Sequence, residues 1–178
     1  PVTEQIFEQF YNDAFYRPSE IAEARVAGGV TGRKSGAGFY AYNDGKADIP
    51  TEPKPPSISK MPSIWIDPSA SEALKTVLAD AGANFVEKSK AEICIVTPIG
   101  CDATTASVNF GLDATCTVAV DEITGISDRR TIMTTPVTEK SACDAVWGLL
   151  AVDGTPVTVI ADSAGFISQR VIAMVVNL

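Results

Sequence analysis

The sequence predicts an α/β fold: a mainly parallel sheet flanked by helices, with helical and extended segments at both ends. Three observations carry this expectation. From Ser63 onward, short β-branched runs alternate with stretches whose apolar residues fall at helical spacing. Ahead of that alternation, Pro50, Pro53, Pro55, Pro56 and Pro62 lie in a polar stretch that suits neither helix nor central strand. A content of 46% hydrophobic and 20% charged residues over 178 positions is globular composition, sufficient for one ordinary domain with appendages.

Taken in order, Ile6, Phe7, Phe10 and Tyr11 predict a helix over Glu4 to Tyr11, and Ile21, Arg25 and Val26 a second short helix after the break at Pro18. A glycine-rich stretch, Gly32 to Tyr42, follows, then a turn at Asn43-Asp44-Gly45 and the proline-rich segment, read as a semi-rigid extended linker. Strands are expected at Ser63 to Asp67, Asn84 to Glu87, Ala91 to Pro98, Thr115 to Val120, Thr131 to Thr134 and Val157 to Ala161. Between them, Ala73, Leu74, Val77, Leu78 and Ala81 define a helix over Ser71 to Gly82 with Gly82 as its C-cap. A further helix spans Glu139 to Leu150, with Ala142, Ala145, Val146, Leu149 and Leu150 on one side. The last helix, Phe166 to Leu178, is apolar on more than one side and therefore needs a partner.

Composition excludes several function classes. With 14 basic against 22 acidic residues the net charge is -8, which repels polyphosphate and argues against nucleic-acid binding. The chain has no histidine, so any Ser-His-Asp, Cys-His or H-E-x-x-H chemistry is excluded. Asp162-Ser163-Ala164-Gly165 therefore cannot work as a nucleophile elbow, and Ala161 stands where the elbow's first glycine belongs. Cys94, Cys101, Cys116 and Cys143 show no C-x-x-C spacing, which points to buried free thiols in a reducing cytoplasm rather than to zinc or a redox dithiol. No secretory signal and no bilayer-spanning apolar run is recognisable, so no membrane association is expected. The start at Pro1 without a methionine, and the stop at Leu178 within an apolar run, lead to the expectation of a segment of a longer polypeptide.

Two candidate nucleotide sites fail on chemistry. In Gly28-Gly29-Val30-Thr31-Gly32-Arg33-Lys34-Ser35, Arg33 separates glycine from lysine and a helix precedes, so a phosphate-cradling loop is not implied. A dinucleotide reading has Glu87 20 positions after Asp67 (87 − 67), near where a ribose-binding acid belongs. Yet the turn Asp67-Pro68-Ser69-Ala70-Ser71 lacks the glycines that admit a pyrophosphate, and Glu87 is read as a solvated strand-end residue. Asp121-Glu122, adjacent at a strand end, is likewise read as surface charge, and the glycine-rich stretch as a turn packing Phe39, Tyr40 and Tyr42 onto a domain.

Two stretches do carry a family likeness. Gly29 to Tyr42, with Tyr16-Arg17-Pro18-Ser19 upstream, resembles the G-L-L-G-R-K-T-G-x-G-F-Y-x-Y ending of the helical domain of 3-hydroxyacyl-CoA dehydrogenases. Pro156 to Arg170 is similar to the P-V-x-V-x-D-x-x-G-F-I-x-N-R that joins that family's Rossmann domain to its helical domain. The order resembles the middle of a long bacterial 3-hydroxybutyryl-CoA dehydrogenase. On that resemblance, residues 1–46 are the tail of a first helical domain, 47–62 a linker, 63–162 a reduced Rossmann-like domain and 163–178 the start of a second helical domain.

The resemblance implies oxidation of a 3-hydroxyacyl-CoA by NAD, with a histidine base and with serine and asparagine holding the substrate. Ile132-Met133-Thr134-Thr135-Pro136 matches the family's H-F-x-N-P without the histidine, and Gln169 replaces its asparagine. No catalytic, cofactor-binding or metal-ligating residue is therefore assigned in this chain. NAD and the acyl-CoA substrate are expected to bind upstream in the parent protein, Arg33 and Lys34 being the one point where a CoA phosphate is considered. This segment is expected to act as scaffold and to assemble as a homo-oligomer. A non-catalytic nucleotide- or acyl-CoA-binding module, with Thr97-Pro98-Ile99-Gly100 lining the crevice, is the competing reading.

Overall fold

The computed structural model describes residues 2–58, 60–123 and 125–177. The chain divides into two compact units, Pro1–Glu52 and Pro53–Leu178.

The first unit holds helices α1 (Val2–Gln9) and α2 (Glu20–Ala27), with a 3-10 turn at Ala14–Tyr16 between them. Glu20 and Glu23 in the first turn of α2 and Arg25 in its last complement the helix dipole. A second 3-10 turn, Arg33–Ser35, lies in the glycine-rich stretch, which closes on the hairpin of β1 (Tyr42–Asn43) and β2 (Lys46–Ala47). Asp44 and Gly45 both adopt positive φ, 50° and 74°, the geometry a two-residue hairpin turn demands. None of the described residues of this unit is buried.

The second unit is a six-stranded sheet in the order β4-β3-β5-β6-β7-β8, formed by β3 (Ser63–Ile66), β4 (Asn84–Phe85), β5 (Ile93–Val96), β6 (Thr117–Val120), β7 (Arg130–Thr134) and β8 (Val157–Ile160). All neighbours are parallel except β6 and β7, which run antiparallel with Val120 opposite Ile132. Helices α3 (Glu72–Asp80), α4 (Ala103–Phe110), α5 (Lys140–Leu150) and α6 (Ile167–Val176) complete it. The predicted α/β class is therefore the observed one, and all six strands lie where β-branched runs placed them.

Alternation along the central strands sends residues to opposite faces. On one face Ile64, Ile93, Ile95, Val118, Val120 and Ile132 pack with Leu74, Leu78, Val146, Leu149 and Leu150 of α3 and α5. On the other, Val96, Ala119 and Met133 pack with Ala103 and Ala106 of α4 and with Phe166, whose side chain is fully buried.

Several expectations need correcting. Helix α4 falls in a stretch to which no element is assigned from sequence, and its residues, Ala-Thr-Thr-Ala-Ser-Val-Asn-Phe, are rich in poor helix formers. Caps and tertiary contacts compensate: the Asp102 side chain accepts from Thr105 N, Gly111 ends the helix in the left-handed region, and Asp162 accepts from Ala103 N at 2.8 Å. In α3 the cap residue is Ala81, and Gly82 follows it at φ 89°. Phe166 belongs to the core rather than to the last helix, while Leu178, read as that helix's end, lies outside the described residues. The aromatics of the glycine-rich stretch are not packed into a core: Phe39 is 78% exposed beneath the Arg25 guanidinium, 3.8 Å from its ring centroid. Of the four thiols only Cys94 is buried, pushed up to about 12 chiefly by desolvation; the others are half-exposed, and all four are free.

Candidate functional site

In an open α/β sheet, ligands bind beyond the carboxyl ends of the strands at the point where strand order reverses. Here the chain goes from β3 outward to β4 and returns to β5 on β3's other side, so the reversal lies between β3 and β5. Two features frame it: the β3–α3 turn, Asp67 to Ser71, and the segment after β5, Thr97 to Gly100.

The β3–α3 turn is where a dinucleotide fold presents backbone amides to a pyrophosphate. In this chain those amides are already used. Ser69 N donates to the Asp67 carboxylate at 2.8 Å, Ala70 N to the Asp67 carbonyl at 3.0 Å, Ser71 N to the Glu122 carboxylate at 3.0 Å, and Leu74 N to the Ser71 hydroxyl at 3.2 Å. The Ser69 hydroxyl adds a 2.7 Å bond to Asp67, and the Ser71 hydroxyl bonds Glu122. Asp67 is buried, and its carboxylate accepts from Ser69 in the turn ahead of α3, placing a negative charge of the chain itself inside that turn. An incoming phosphate would meet two carboxylates and would find the Ser69, Ala70 and Ser71 amides already bonded, so this turn does not fit the NAD pyrophosphate.

The crevice after β5 is closed by the first turn of α6. Gln169 accepts from Gly100 N at 2.8 Å and donates to the Pro98 carbonyl at 3.1 Å and to Asp121 at 3.2 Å. The Ser168 hydroxyl donates to the same Asp121 carboxylate. Gly165 suits this turn because its φ is 79°, a conformation side chains rarely adopt, and its amide donates to the Cys101 carbonyl at 3.2 Å. Asp162 adds bonds to Ala103 N and the Thr104 hydroxyl, tying the same connection to the start of α4.

These observations revise the reading of the acidic pair. Asp121 is 5% exposed and Glu122 half-buried; both clasp distant segments rather than ending a strand in water. Sequence inspection missed this pair, Asp67 and Asp162 as structural acceptors. The available signal was the capping pattern Asp102-x-x-Thr105 beside the D-x-x-G-F-I match at Asp162. Glu87, in contrast, is exposed as expected and lies 3.9 Å from Lys90.

The remaining motif residues have bland surroundings. Ile132 and Met133, which stand where the family's histidine strand begins, are fully buried in β7, and the Thr135 hydroxyl donates to the Ala114 carbonyl at 2.9 Å. Ser163 donates to the Gly165 carbonyl at 3.2 Å. Arg33 and Lys34 are exposed on their 3-10 turn, whose shape is fixed by the Ser35 hydroxyl through Thr31 N at 3.0 Å and the Ala37 carbonyl at 2.9 Å. Among the described residues there is no group of three metal-ligating side chains and no helix long and apolar enough to cross a membrane.

No family model matches the chain, and no curated protein matches it significantly. Solved structures do. The 3-hydroxybutyryl-CoA dehydrogenase of Escherichia coli K12 superposes with a TM-score of 0.65 at 22% identity, over 99% of this chain and 33% of that one. Mycobacterium tuberculosis FadB2 gives a TM-score of 0.43 at 10% identity, covering 61% of this chain and 39% of its own. A 3-hydroxyacyl-CoA dehydrogenase of Archaeoglobus fulgidus gives 0.40 at 14%, covering 66% and 62%. The chain thus has the fold of a segment of a 3-hydroxybutyryl-CoA dehydrogenase, spanning 33% of the length of the Escherichia coli enzyme.

Proposed function

We propose that this chain is a non-catalytic scaffold segment of an NAD-dependent 3-hydroxyacyl-CoA dehydrogenase, with NAD and the acyl-CoA held by other parts of the parent protein. The observation that carries the reading is the occupation of both ligand positions of the sheet by the chain's own groups: Asp67 and Glu122 at the β3–α3 turn, Gln169 across the end of β5. A site filled in this way retains the architecture of a nucleotide fold while the Ser69, Ala70 and Ser71 amides of its turn are bonded within the chain. The lack of any histidine agrees with it, since the family likeness calls for a histidine base. Helix α6, which exposes Val171, Met174, Val175 and Val176, supplies contact surface for the parent's helical region or for a homo-oligomer. The composition and free thiols suit a cytoplasmic setting, without nucleic-acid or membrane partners.

The competing reading, a retained nucleotide- or acyl-CoA-binding module, draws on the reversal of strand order between β3 and β5. Calorimetric titration with NADH and with acetoacetyl-CoA separates the two. Scaffold function gives no saturable heat for either ligand; saturation in the micromolar range favours the binding module and overturns the scaffold reading.

A further inference from the structure

The proline-rich segment ahead of β3 is not a free linker along its whole length. Pro56 and Ile58 are half-buried while Pro55 and Ser57 are exposed, the alternation of an extended strand lying on a surface. Ile58 packs against the core cluster beneath α5. The contact centres on Gly148, a buried residue in the interior of α5. A Cβ built at Gly148 would stand 2.7 Å from Ile58 Cγ1 and 2.9 Å from the Pro56 carbonyl oxygen. One of these neighbours is backbone, so the strap cannot yield by turning a side chain.

Glycine is otherwise a poor choice at that position, because alanine is the better helix former. What recommends glycine is the space it leaves for a second chain segment. Proline fits the other side of the contact: it keeps the strap extended before docking, which lowers the ordering cost of binding.

We propose that residues 56–58 are a docked strap, an intramolecular ligand for the face of α5 around Gly148, and that Gly148 is the recognition feature that admits it. The connection is then anchored at Pro56.

The test uses the whole chain and limited digestion with proteinase K, reading the rate of cleavage within residues 56–58 alongside thermal unfolding. Gly148→Ala is expected to raise that rate at least about tenfold, since a displaced strap is open to the protease in every molecule. Ile58→Ala, which alters the strap and leaves α5 untouched, is expected to raise it in the same direction and carries the test if Gly148→Ala does not fold. Unchanged cleavage in Ile58→Ala, or a Gly148→Ala chain that unfolds at higher temperature with wild-type cleavage as helix propensity alone dictates, overturns the proposal.

Discussion

The two units of this chain are built on opposite terms. The second unit buries two apolar layers, one on each face of its sheet, with Phe166, Leu74, Leu149 and Met133 fully enclosed. The first, from Pro1 to Glu52, has no buried residue among those described and leaves Ile6, Phe10, Phe15, Ile21 and Phe39 more than a third exposed. The difference teaches where order comes from. The sheet is held by burial of side chains, whereas the first unit is held by local contacts: the Ser35 hydroxyl network, the hairpin, the 3-10 turns and the stacking of Phe10 on Tyr16. Such a unit cannot draw much stability from its own core.

Substitution of Phe166 by alanine is the severest test of this contrast. It empties the centre of the α4-side layer, and urea unfolding is expected to register a loss of about 3–5 kcal/mol from the second unit. Next in size is Asp121→Ala, which removes the acceptor of the Ser168 hydroxyl and of Ile123 N and one of the two bonds donated by the Gln169 amide; a loss of about 1–3 kcal/mol is expected. Faster amide exchange in α6 should accompany it, with α5 unchanged.

A smaller effect belongs to the Arg130–Asp153 pair. Arg130 is buried and donates from Nε to the Ile126 carbonyl at 2.8 Å and from Nη2 to Asp153 at 2.6 Å. The guanidinium holds the Asp153 carboxyl well below the usual carboxylate range. Because the folded value lies below the unfolded one, this contribution is full above about pH 4 and is lost as the pH falls through the folded value. Half of the Asp153 side chain is exposed, so Asp153→Asn is expected to cost only about 1 kcal/mol at neutral pH and to flatten the acid limb of the stability curve. The smallest change is Phe39→Ala in the first unit. It removes an exposed ring and one cation–π contact and should leave unfolding of the sheet within about 0.5 kcal/mol of wild type. A larger loss there would erase the distinction between the two units.

Strands were legible because β-branched runs bounded by turn residues report local backbone preference, as at Ile93 to Val96 and Val157 to Ile160. Helices α3 and α5 were legible through the spacing of Leu74 and Leu78, and of Ala142, Val146 and Leu149. Helix α4 was not, since its residues favour other conformations and its stability comes from Asp102 and from Asp162, 59 positions away from Ala103. The missing glycines of the β3–α3 turn could be read directly. The groups that fill the turn and the crevice could not: Glu122 reaches Ser71 across 51 positions and Gln169 reaches Pro98 across 71. No local pattern encodes a contact at such separation. The same holds for the strap, whose prolines read as linker until the notch at Gly148 shows what they lie against.

Amide hydrogen exchange followed by NMR, with and without NADH, tests most directly the claim that the chain's own groups occupy its ligand positions. The amides of Ser69, Ser71, Gly100 and Ala103, each bonded to a side chain of this protein, are predicted to exchange slowly in the free chain and to be unaffected by millimolar NADH. Rapid exchange at these amides in the free chain, converted to protection when NADH is added, would contradict the account.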